Sequence, residues 1–311
     1  MPGSTPASGT TVAESVATLD RVAAATGFAR RNSARWDTVR RLWRHRSFKL
    51  GLALFAILVL SAAFVPMISD ADPTKLSMRT RFVPPGAEFL FGTDNFGRSA
   101  LARVAYGARL SLMIGTSVVV LNAIFGALVG ALSGYFPRLD NPLMRMNDAL
   151  MAFPPVLLAI AVAAVLGRST INVIVALAIV YVPRTARIVR ASVLVIRQME
   201  FVQAAVAAGA GHWRILRRHI LPNAMAPLIV QLSFLFAYAV LTEATLSFLG
   251  LGAEPPTPTW GNIMAEGRQY MREAPWIIAI PGGALALTVM ALNLLGDGLR
   301  DVLDPRLKIQ Q

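Results

Sequence analysis

Residues 110–134 read LSLMIGTSVVVLNAIFGALVGALSG, and no charged side chain occurs between Arg109 and Arg138. A helix needs roughly 20 apolar residues to cross a hydrocarbon core of about 30 Å. This stretch meets that requirement. The same absence of charge recurs between Lys49 and Asp70, Asp148 and Arg168, Arg168 and Arg184, His219 and Glu243, and Glu273 and Asp297. These blocks predict an all-α membrane protein with six transmembrane helices near 50–68, 110–134, 149–166, 170–190, 225–248 and 275–296. The fourth block is cut short by Arg184 and Arg187, so its helix is expected to run past the membrane with those arginines among the headgroups.

Composition agrees with this reading. Only 15% of the 311 residues are charged and 55% are hydrophobic, with mean hydropathy +0.55. An average soluble domain carries about 25% charged residues. Most of the thirty Lys and Arg fall in 1–49, 135–148, 184–219 and 297–311. The positive-inside rule therefore places those pieces, and both termini, in the cytoplasm. The net charge of +13 follows from arginines that flank the spans. Topology and anionic lipid account for it, so no nucleic-acid partner is expected.

Along the chain, residues 1–34 are rich in Ser, Thr, Ala and Gly and read as a mobile cytoplasmic tail. Residues 35–49 mix Trp36, Leu42, Trp43 and Phe48 with arginines, which suits an amphipathic segment at the inner membrane surface. The first transmembrane helix, 50–69, is long for a signal h-region and is expected to stay as an anchor. Residues 70–105 form an extracytoplasmic segment, 106–300 a five-helix core with a cytoplasmic loop at 199–222, and 301–311 a cytoplasmic tail. Gly126, Gly130 and Gly134 recur every four residues, a spacing that lets a second helix backbone come close.

Chemistry of its own is hard to find in the chain. No Gly-x-x-x-x-Gly-Lys-Ser/Thr loop exists, so ATP is not bound in the P-loop manner. Cysteine is absent, which excludes disulfides and thiol chemistry. His45, His212 and His219 are scattered among arginines and make no zinc motif. Gly296-Asp297 has no second intramembrane aspartate to make a protease. Glu243 is the one carboxylate in an apolar span, and such a group is by default a functional hypothesis. It is assigned to the translocation path or its gate, together with Asn122 and Asn293, with a structural or gating role favoured over substrate contact.

The cytoplasmic stretch Phe201–Ala208 is small, apolar and helix-favouring. Gly209-Ala210-Gly211 bends the chain. A second turn follows, with Trp213, Leu216 and Ile220 expected on one face and Arg214, Arg217 and Arg218 on the other, and Pro222 ends it. Small residues on a short surface helix let a partner protein approach its backbone.

This segment resembles the EAA loop of ABC importer permeases. Ala204, Ala205, Gly209, Leu221 and Pro222 match its pattern, while Gln203 stands where the family usually has Glu. Phe91-Gly92-Thr93-Asp94-Asn95-Phe96-Gly97-Arg98, Gly107–Leu112, Ser247–Gly252 and Asn293–Pro305 resemble the signatures of dipeptide, oligopeptide and nickel permeases, of the "C" type. The resemblance covers roughly 35–308. It implies a type I ABC importer permease fold in the bacterial cytoplasmic membrane. It also implies a heterodimer with a "B"-type permease, two cytoplasmic ATPase subunits that bind ATP and Mg, and an extracytoplasmic substrate-binding protein. No cofactor or metal is then expected in this chain. The ATPase-coupling residues would be Gln203, Ala204, Ala205, Ala208, Gly209, Ala210, Trp213, Ile215, Leu221 and Pro222. The cargo would be di- or oligopeptides, with nickel or glutathione as alternatives. A stand-alone channel or secondary transporter would need more intramembrane carboxylates or an inverted repeat.

Overall fold

The computed structural model describes residues 39–68 and 72–303. Expectations for residues 1–34 and 304–311 lie outside the described residues. Residues 39–44 are helical, with Trp43 exposed. From Arg46 onward the described chain is built of helices: α1 (Arg46–Ile68), α2 (Ala100–Tyr135), α3 (Pro137–Met151), α4 (Pro155–Leu166), α5 (Thr170–Ile196), α6 (Glu200–Ala207), α7 (His212–Phe248), α8 (Trp260–Gly267) and α9 (Trp276–Leu303).

Five of these, α1, α2, α5, α7 and α9, are long and apolar enough to cross a membrane. The expected third span, 149–166, is not one straight helix. It divides between α3 and α4, which meet at 91°. Pro154 and Pro155 are the cause. Proline lacks the N–H that would continue the helix, and it pushes the preceding residue out of the α region. With its 12 residues, α4 extends only about 18 Å at 1.5 Å per residue. A sixth crossing therefore requires the bent α3–α4 pair acting together. By contrast, α5 does continue past residue 190, ending at Ile196.

Several helices start earlier than their apolar runs. The first turn of α2 begins at Ala100, where the Ser99 hydroxyl caps the N–H of Ala102. This is an N-cap satisfying one of the orphan donors at a helix start. Helix α7 begins at His212, well before the uncharged run, and includes a π-turn over Leu216–Ile220. Pro222 supplies the reason: its ring would collide with the carbonyl four residues back, and a wider turn moves that carbonyl away.

Packing joins the long helices without large polar interfaces. Helix α7 contacts α2, α5, α8 and α9, and α9 also packs on α1. The glycine stripe works as expected. It sits against α5, where a Cβ on Gly130 would lie 2.4 Å from the carbonyl oxygen of Ala186 and one on Gly134 would lie 2.8 Å from Cβ of Val193. Only hydrogen atoms fit there. Near the same end, Arg190 grips Asp140 with two hydrogen bonds of 2.6 Å and Arg187 reaches Asp148 at 2.7 Å. These pairs hold α3 to α5. Outward-facing residues such as Ile57, Val165 and Ile171 are large, apolar and exposed, which in water would be a liability but in lipid is the solvated state.

Candidate functional site

The loop between α5 and α7 folds as a compact knob. Helix α6 ends in a Schellman motif: the Ala210 N–H donates to the Ala205 carbonyl at 3.0 Å and the Gly209 N–H to Val206 at 2.9 Å. That closure needs a left-handed residue at the position after the cap, and Gly209 has φ of 76°. The exposed surface of the knob includes Phe201, Gln203, Ala204, Val206, Ala207, Ala208, Gly209 and Gly211. Small residues dominate it, so its backbone is open to close approach.

Beneath the knob, Val202, Ile215, Leu216, Ile220, Ala224 and Leu228 form a buried cluster with Val189, Val193 and Ile196 of α5. The knob is thus welded to the ends of two long helices. Ile215 is 1% exposed. It supports the surface from below and does not belong to the surface itself. Trp213 corrects the expected face: it is 65% exposed, while Leu216 and Ile220 are buried. In an α-helix, residues 215 and 220 would lie about 140° apart, at 100° per residue. The π-turn brings them to one side, and Trp213 is left outside with the arginines. Leu221 is half-buried and Pro222 exposed.

Gln203 is exposed and reaches back toward α5. Its side-chain amide donates to the carbonyl oxygen of Arg197 at 3.0 Å, satisfying an acceptor at the C-terminus of α5. On the other flank, the Tyr135 hydroxyl meets His212 Nδ1 at 2.9 Å, and Arg197 donates to the Gly134 carbonyl at 3.1 Å. A deprotonated glutamate could not donate to Arg197. Gln203→Glu is therefore expected to lose about 1 kcal/mol of loop anchoring. Hydrogen exchange at the amides of residues 204–211 would rise about fivefold, and Gln203→Ala should match it. An unchanged exchange rate in Gln203→Glu would remove this contact from the account.

At the opposite end of α2, the chain before the helix folds into a compact cap. Asp94 Oδ1 accepts from the N–H groups of Phe96 and Arg98, at 2.8 and 2.9 Å. Its Oδ2 accepts from Arg98 Nε at 2.6 Å and Arg103 Nη1 at 2.8 Å. Arg103 continues to both oxygens of Glu266 on α8, at 2.8 and 3.0 Å, and Arg98 also bonds Glu266. Two guanidinium and two carboxylate groups thus neutralise one another, with Asp94, Arg98 and Arg103 buried. Two indoles add bonds between elements: Trp260 Nε1 donates to the Val104 carbonyl and Trp276 Nε1 to the Thr93 carbonyl.

Within the apolar interior, Glu243 is fully buried. Its two oxygens accept from Ser111 at 2.8 Å and Ser247 at 2.7 Å, and among the described residues no cation pairs with it. It ties α2 to α7 and faces no groove. Asn122 is also fully buried; its amide donates to the Val118 carbonyl at 2.9 Å, at the start of a π-turn over Asn122–Gly126. Asn293 is placed differently. It lies in a groove of about 540 Å³ between α7 and α9, lined mainly by Leu241, Leu285, Val289 and Met290, with Asp297 at one end. Of the three interior polar residues, Asn293 is the one that reaches a groove.

Residues 122–309 match the family described as binding-protein-dependent transport system inner membrane component. The chain belongs to this family. It is accordingly a permease of an ABC importer and a multi-pass protein of the inner membrane. Residues 33–85 match the N-terminal TM domain of oligopeptide transport permease C. A peptide transport system permease protein of Brucella abortus biovar 1 (strain 9-941) is 56% identical over 273 residues, 88% of this chain and 92% of that one. The di/tripeptide transport system permease DppC of Pseudomonas aeruginosa (strain UCBPP-PA14) is 45% identical, covering 85% and 90%. The glutathione transport system permease GsiD of Pectobacterium atrosepticum is 41% identical, covering 86% and 91%.

Two residues that organise this permease, Arg103 and Glu266, escape a reading by motif. Arg103 follows Ala100-Leu101-Ala102 and precedes Val104. An arginine near the start of an apolar helix calls for a partner, which was a usable signal. One partner, Asp94, lies nine positions earlier; the other, Glu266, lies 163 positions further along, and nothing local points to it.

Proposed function

We propose that this permease forms half of a translocation path for di- or oligopeptides. It pairs with a homologous B-type permease, receives cargo from an extracytoplasmic substrate-binding protein, and is driven by two cytoplasmic ATPase subunits that hold the ATP and Mg. Both termini are cytoplasmic in this reading. The chain carries out no bond chemistry; it converts movement at α6 into movement of α5 and α7.

The observation that carries this is the construction of the knob. An open, small-residue surface at Ala204–Gly211 stands on a buried cluster shared with two membrane helices. A push on the surface must therefore reach the spans, because the cluster leaves no soft layer between them. The peptide cargo is supported by the relatives named for peptide, di/tripeptide and glutathione transport. Glutathione is itself a tripeptide, so it sits within the same chemical class. Nickel has less support: none of these three relatives is named for it.

Affinity purification of the tagged permease from its native cells is the direct test. An ATPase subunit and a second permease are expected in the purified complex, with ATP-dependent uptake of labelled dipeptide into proteoliposomes. A homo-oligomer that transports without ATP would overturn the reading.

A further inference from the structure

We propose that Trp213, Arg214, Arg217 and Arg218 form a binding site for the headgroup of an anionic phospholipid at the root of the coupling loop. The four side chains line a surface recess of about 440 Å³. All four are exposed. Among the described residues no carboxylate pairs with any of the three guanidinium groups, so the recess carries uncompensated positive charge. The opposite side of the same turn is buried through Ile215, Leu216 and Ile220. The recess therefore faces away from the protein's own packing.

Position selects the occupant. The uncharged run of α7 begins at Ile220. At 1.5 Å per residue, Arg217 and Arg218 stand about 3–5 Å above it and Arg214 about 9 Å. The headgroup layer is roughly 5–8 Å deep on each side of the hydrocarbon. Guanidinium groups at this height meet lipid phosphates, and an indole beside them suits the interface, with its ring over acyl chains and its N–H in the polar layer. An acidic face of an ATPase subunit is the competing occupant. It is less favoured because the small-residue surface that a protein would grip lies beyond the recess, at Ala204–Gly211. The inference rests on the membrane placement of α7 and on the reading that the ATPase grips Ala204–Gly211, which takes Trp213 out of the ATPase-coupling set.

A lipid held here would pin the pivot of the loop to the inner leaflet. The test uses the purified permease complex in nanodiscs containing either phosphatidylglycerol or phosphatidylcholine with brominated acyl chains. Tryptophan quenching is compared between the native chain and Trp213→Phe. The quenching that disappears in Trp213→Phe should favour phosphatidylglycerol by at least about fivefold, the effect of one basic side chain at an anionic surface. The triple change Arg214→Gln, Arg217→Gln, Arg218→Gln should abolish the preference, and the corresponding triple lysine variant should retain most of it, which separates loss of charge from misfolding. Equal quenching by both lipids in the native chain would overturn the proposal. So would a glutamine variant that keeps the lipid preference but loses the co-purifying ATPase, which would assign the recess to protein docking.

Discussion

Arg103→Met is expected to destabilise the cap before α2 more than any single change in an apolar contact. Arg103 bridges Asp94 and Glu266, and both it and Asp94 are almost completely buried. Removing one partner of a buried charge network leaves a carboxylate short of its cation, which costs about 3–5 kcal/mol. Here Arg98 still contacts both acids, so the lower part of that range is expected. The readout is the thermal midpoint of the detergent-solubilised complex, together with protease sensitivity of residues 253–275. Glu266 is 28% exposed, so Glu266→Gln should cost less, because water reaches the vacated position. Combining Arg103→Met with Glu266→Leu should cost less than the sum, since the pair is coupled. A midpoint for Arg103→Met within about 1 °C of the native complex would show that the network contributes little, a result in which its net worth is cancelled by desolvation.

Gly209→Val is expected to give the largest functional loss. The residue sits at φ of 76° with no atom within 4 Å of an added Cβ, so the substitution meets no collision. Its effect comes through backbone strain alone. A non-glycine residue in the left-handed region costs roughly 1–2 kcal/mol, more for a β-branched side chain. That is enough to shift the Schellman closure and re-aim the knob in most molecules. Peptide uptake should fall about tenfold or more, with membrane insertion and complex assembly unchanged and ATP hydrolysis continuing. Gly209→Asn provides the control, because asparagine tolerates the left-handed region and should recover a large share of uptake. Native uptake by Gly209→Val would end the assignment of this loop as the coupling element.

The two changes show which kinds of feature a linear reading reaches. The glycine at 209 was visible from the chain because a small-residue helix followed by Gly-Ala-Gly is local punctuation, and its consequence is confined to neighbours within five positions. The stripe of Gly126, Gly130 and Gly134 was visible for the same reason, through helical period. The arginine network was not, because Glu266 reaches the Asp94–Arg98–Arg103 group only through the packing of α8 on α2. Trp213 marks an intermediate case. Its residue type was noticed, but its face depended on a π-turn, and a pattern drawn on α-helical spacing put it on the wrong side. The third span is a related case: its length in apolar residues was legible, but not the 91° bend that divides it between α3 and α4 at Pro154 and Pro155.

By itself, then, the sequence determined the solvent of this protein, the number of apolar blocks, the small-residue character of the loop between α5 and α7 and the chain's resemblance to importer permeases. All of these rest on composition and short-range periodicity, which survive without knowledge of contacts. Only the tertiary structure decided that Glu243 is held between two serines and faces no groove, that Asn293 does reach one, that Gln203 turns inward to α5, and that two arginines and two acids close the cap before α2. Each of those outcomes depends on which groups packing brings within hydrogen-bond reach. In a medium without competing water, a buried polar group left without a partner is costly, so the fold settles where those partners meet.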